Sequence, residues 1–133
     1  MEIVLKGLPK HSLNKIYAGV HWKKRADDKK TYTFLIKSQF KQVLKADKVY
    51  SVTYEFVFKN KPLDTSNTVY MLKMIEDVLF EDDTYKIIPE LRIKSTKGKE
   101  DLVIINIKQI NTHDRIRSTQ PASTSFMVSL PVA

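Results

Sequence analysis

The chain contains no cysteine, which excludes a disulfide framework and a zinc-thiolate centre. Histidine is scarce and scattered at His11, His21 and His113, without the spacing of a metal-binding pair. Three glycines are too few and too far apart for a phosphate-cradling loop or a dinucleotide fingerprint, and no nucleophile elbow or HExxH helix occurs. Long apolar runs are also missing. The most apolar stretch, residues 102–107, is strand-sized, and MEIVLKGLPK lacks the apolar core of a signal peptide. These absences set aside triad hydrolases, nucleotide-binding enzymes, organic cofactors and membrane spans, and they lead us to expect a cytoplasmic protein.

Positive charge, in contrast, is abundant and uneven. The net charge is +8, and residues 1–48 hold 12 Lys and Arg against 4 Asp and Glu, so the first third carries all of it. A surface of this kind attracts a polyanion by releasing its condensed counterions. At 133 residues with 42% apolar content, the chain suits one domain with its own core.

Hydropathy patterning predicts a short strand over residues 2–6 and a polar, basic loop over 7–28. A basic amphipathic helix is expected over 30–44, from the apolar positions Phe34, Leu35, Phe40, Val43 and Leu44. Alternation of Tyr50, Val52, Tyr54, Phe56 and Phe58 with Ser51, Thr53 and Glu55 predicts a strand with one buried face. A second helix follows over 66–80, capped by Asp64, Thr65 or Ser66. Two strands, 85–94 and 101–110, read as a β-hairpin turning through Thr96, Lys97 and Gly98, with Pro89 marking an edge or a bulge. Residues 111–133 read as a Ser/Thr-rich tail or arm of the same domain. The expected fold class is α/β or α+β: a single small domain, a mixed β-sheet with two main helices packed on it.

The chemistry concentrates at residues 76–83, where Glu76, Asp77, Glu81, Asp82 and Asp83 place five carboxylates in eight residues. Carboxylates at a helix C-terminus oppose the helix dipole, each at a cost of about 0.3–1 kcal/mol unless a cation compensates. A divalent ion with hard oxygen ligands would do so, and a solvated acidic loop is the plainer alternative. Asp64, at a strand-to-helix turn, is either a further ligand or a helix cap. Lys73 precedes Asp77 by four residues and shares its helical face with Tyr70; it reads as an electrophilic partner for a phosphate or as one half of a surface ion pair. Asn67 suits a phosphate contact or a cap. In the N-terminal region Asn14, Lys15, Tyr17, His21, Trp22, Lys23, Lys24 and Arg25 interleave aromatics with cations, a mixture that grips phosphates and stacks on unpaired bases, although Trp22 and Tyr17 equally suit a core.

The order of these features over residues 2–110 resembles the RusA-like Holliday-junction resolvases, the crossover-junction endodeoxyribonucleases. Leu8-Pro9, Ser12, Asn14 and Tyr17 stand as in the opening loop of that family. Asp64, Asn67, Lys73 and Asp77, then the pair Asp82 and Asp83, follow the order of its core motif. Ser66 stands where the motif has its second Asp: either one helical turn is inserted near residues 65–70, or the acidic set is rearranged with Asp77 closing that gap. The resemblance implies a homodimer that cuts branched DNA with magnesium or manganese. It assigns Asp64, Lys73 and Asp83 to catalysis and Asp64, Asp77, Asp82 and Asp83 to the metal. Asn14, Lys15, Tyr17, Lys23, Lys24, Arg25 and Asn67 would then contact DNA. The alternative is a catalytically inactive nucleic-acid-binding module on the same scaffold.

Overall fold

The central strand explains most of the architecture. In β2 (Val49–Phe58) every second residue, from Tyr50 to Phe58, is buried, and each aromatic or aliphatic side chain so removed from water contributes about 1.5–3 kcal/mol. β2 pairs antiparallel with β4 (Leu102–Ile110) on one side and parallel with β3 (Glu90–Lys97) on the other. β1 (Glu2–Lys6) adds antiparallel to β4, giving the order β1-β4-β2-β3. The structure, a computed structural model, describes residues 1–19 and 22–110, without the side chains of Lys15 and Tyr17. The expected tail over 111–133 and His21 lie outside these residues.

A parallel pair requires a crossover, and between β2 and β3 it is supplied by a short 3-10 turn (Thr65–Thr68) and helix α3 (Val69–Leu79). Eight of the eleven residues of α3 are buried, including Met71, Leu72, Ile75 and Leu79. A helix apolar nearly all round must be covered on more than one side, and α3 shares a single core cluster with the alternating residues of the sheet and with Tyr32 and Ile36 of helix α2 (Trp22–Gln39). A four-residue helix, α1 (Asn14–Tyr17), interrupts the N-terminal loop. The fold class is thus the expected one, a mixed sheet with two main helices. Among the described residues no helix is long and apolar enough to cross a membrane.

Two expectations are corrected. β3 and β4 do not form a hairpin, because β2 lies between them. Residues 98–101 instead hook over the end of β2: the Gly98 N–H donates to the Phe58 carbonyl (2.9 Å) and the Lys59 N–H to Asp101 Oδ1 (2.8 Å). A Cβ at position 98 would collide with the Val57 side chain, so the hook requires glycine. The first long helix spans residues 22–39 rather than 30–44 and leaves Phe34 exposed. Its buried stripe is Asp28, Tyr32 and Ile36, and the acid in that stripe hides it from hydropathy. Beyond it Leu44 is extended, bridging to Phe80, with the Leu44 N–H donating to the Leu79 carbonyl (2.7 Å).

Candidate functional site

The acidic segment is taken apart by the way α3 ends. At Phe80 the backbone turns extended and its N–H closes the helix on the Glu76 carbonyl (3.0 Å). The five carboxylates then face different partners. Asp77 points toward α2 and pairs with Lys29 (3.3 Å). Glu81 accepts the Ala46 N–H (2.9 Å) and lies 3.9 Å from the Lys45 ammonium. Asp82 accepts the Thr84 N–H (2.9 Å), turning the chain so that Asp83 returns to α3. There Asp83 Oδ2 lies 2.8 Å from Lys73 Nζ, and Lys73 also reaches Glu76 Oε1 at 3.4 Å. Most of the charge at this helix end is therefore compensated within the protein, and Lys73 pairs with Glu76 and Asp83, not with Asp77.

Glu76 sets the character of this cluster. Its side chain is 6% exposed, and burial raises its pKa from 4.5 to about 7, opposed by Lys73 and reinforced by the charge of Asp83. Asp83 is held below the ordinary range by its bond to Lys73, and Lys73 is raised by the same bond. Buried on β2, Tyr54 has a hydroxyl with no hydrogen-bond partner among the described residues. Burial, then the charges of Glu76 and Asp83, raise it well above the ordinary phenol value. A carboxyl that holds a proton because it is buried, a second carboxylate on the same lysine and an orphaned hydroxyl together suit a hard divalent cation. Among the described residues no three Asp, Glu, His or Cys side chains form a metal-holding group. An ion here would thus have two carboxylates and complete its shell with water and a phosphate oxygen, the usual habit of magnesium.

The other predicted residues fall in two places. Asp64 precedes the 3-10 turn and makes no side-chain capping bond; its carbonyl accepts the Asn67 N–H (2.8 Å). Asp64, Asn67 and Asn14 line one cleft of about 310 Å³ with Lys10, Ser12 and Lys61. The two walls are tied by the Leu13 N–H, which donates to the Asn67 carbonyl (3.0 Å). Lys23, Lys24 and Arg25 lie exposed in the first turn of α2 beside Trp22, which is 72% exposed and so no part of the core. The predicted contacts at the Lys15 and Tyr17 side chains lie outside the described residues. The expected four-ligand set of Asp64, Asp77, Asp82 and Asp83 is not assembled as one group: Asp83 meets Lys73 and Glu76, Asp77 meets Lys29, and Asp82 serves the turn.

Sequence reasoning passed over one buried polar cluster. Asp28 of α2 accepts the Tyr70 hydroxyl (3.0 Å) and lies 3.5 Å from His11 Nε2, while the Tyr32 hydroxyl donates to the Pro9 carbonyl. These bonds pin the N-terminal loop and α2 to α3. The four-residue spacing of Asp28, Tyr32 and Ile36 was the signal for it.

No protein-family model matches the chain, and no curated protein matches it in sequence.

Proposed function

We propose that the protein is an endonuclease that hydrolyses phosphodiester bonds of branched DNA, four-way junctions foremost, with magnesium or manganese as cofactor. The observation that carries this reading is the meeting of Lys73 with Glu76 and Asp83, two carboxylates whose charge reaches the unpartnered hydroxyl of buried Tyr54. Glu76 and Asp83 would hold the ion, which when bound activates water and neutralises charge on the phosphate. Glu76 would give up its proton on binding the ion, and Asp83, held by Lys73, would offer the second oxygen ligand. Lys73, 53% exposed, is the group able to reach the scissile phosphate and offset the charge that develops there. Asp64, in the cleft beside Asn67, borders the strand. A basic first third supplies affinity for DNA.

The same reading takes the protein as cytoplasmic and as a homodimer, since a junction with near two-fold symmetry is matched by a two-fold pair of active sites. Purified protein is incubated with a labelled four-way junction and with a linear duplex of the same sequence, with and without magnesium. Paired nicks on the junction alone, dependent on magnesium, are expected. Tight junction binding without cleavage under either metal assigns the chain to the inactive binding module instead.

A further inference from the structure

The acidic cluster on α3 leaves unexplained the cleft between the N-terminal loop and the segment after β2. Its lining is mostly polar: Lys10, Ser12 and Asn14 form one wall, and Lys61, Asp64 and Asn67 form the other together with the apolar Pro62 and Leu63. Two lysines against one aspartate leave it a net charge of +1. Lys10 is the organised member. Its ammonium donates to the Lys61 carbonyl and sits 5.2 Å over the centre of the Phe58 ring. A lysine held by a carbonyl and an aromatic face has already given up much of its rotamer freedom, and it keeps further N–H groups to offer a ligand. Ser12 Oγ accepts the Asn14 N–H (3.1 Å), which leaves the serine O–H available as a donor. Two side-chain amides add donors of the same kind.

We propose that this cleft is a phosphate subsite, in which Lys10, aided by Ser12, Asn14 and Asn67, holds one phosphodiester of the DNA strand that runs past Asp64. The inference rests on the proposed nuclease reading and adds to it a residue that positions the strand. Ammonium, hydroxyl and amide donors converging on one small space fit a tetrahedral oxyanion, and no base edge is needed to explain them. Contact at this point is therefore indifferent to sequence and sensitive to salt.

The test measures binding of the full chain to a labelled four-way junction over a range of salt concentrations, for the wild type, Lys10→Ala, Lys10→Arg and, as a control at the opposite end of β2, Lys108→Ala. Loss of one phosphate contact lowers the slope of log affinity against log salt by about 0.9. Lys10→Ala is expected to show that drop on every DNA sequence, while Lys10→Arg and Lys108→Ala keep the wild-type slope. Circular dichroism of Lys10→Ala, and the behaviour of Lys10→Arg, separate a lost contact from a lost fold. A wild type that binds DNA with a steep salt slope that Lys10→Ala leaves unchanged overturns the subsite and spares the nuclease reading. A wild type with no salt-dependent DNA binding overturns both. Inorganic phosphate is titrated in parallel; if it shifts the Asn14 and Asn67 side-chain amide resonances and DNA does not, the cleft serves free phosphate and the strand assignment fails.

Discussion

Replacing Glu76 with Gln should stabilise the metal-free protein at neutral and alkaline pH. Glu76 is buried, and its pKa in the folded protein is about 7 against an ordinary 4.5. Between those values the folded state holds a proton that the unfolded chain has released, so stability falls as pH rises. The penalty is absent below pH 4.5 and complete above 7. A shift of roughly 2.5 units at about 1.36 kcal/mol per unit gives a loss of roughly 3 kcal/mol at pH 8. Protonated Glu76 shares a hydrogen bond with Asp83, and the Gln amide donates to the same carboxylate without a charge to bury. Urea unfolding in chelator across this pH range should therefore show a falling midpoint for the wild type and a flatter profile for Glu76→Gln, with the variant ahead at pH 8. Magnesium should raise the wild type at pH 8 and leave the variant nearly unmoved, because a ligand that binds only the folded state stabilises it. Equal stability of the two proteins at pH 8, or a wild-type profile that shows no such fall, would refute this assignment of Glu76.

Asp77→Asn removes a pair whose side chains are 38% and 57% exposed, so its stability change should stay below about 1 kcal/mol by urea titration. Asp28→Ala strands the Tyr70 hydroxyl in a buried site and should cost about 1–3 kcal/mol in the same assay. Gly98→Ala forces a methyl against Val57 and should cost about 1–3 kcal/mol. Adding Val57→Ala should return a large part of that loss, visible as a non-additive double-mutant cycle.

How much of this was legible beforehand follows from what local pattern encodes. The alternation of β2 and the broad apolar surface of α3 depend on neighbours in sequence, and both elements lie within a few residues of their expected places. Strand partners do not depend on neighbours. The runs that became β3 and β4 stand one turn apart in sequence, yet they lie on opposite sides of β2, an arrangement that no local pattern encodes. The helix boundary at residue 22 was hidden because its buried stripe opens with Asp28, whose burial makes sense only beside Tyr70 and His11. At the site, Lys73 and Asp83 were visible as chemistry, and the structure joins them. Glu76 and Asp77 are both one turn from Lys73, and the choice between them rests on where α2 covers α3, a tertiary fact. Tyr54 read as one more core aromatic, since a missing hydrogen-bond partner leaves no mark on sequence.

The most direct measurement compares magnesium-dependent junction cleavage by Glu76→Gln, Asp83→Asn and Asp77→Asn, with junction binding followed in parallel. Cleavage should be lost in the first two and kept in the third, while all three bind the junction. Loss in Asp77→Asn with retention in Glu76→Gln would contradict the site, and cleavage that survives both Glu76→Gln and Asp83→Asn would remove it from the reaction altogether.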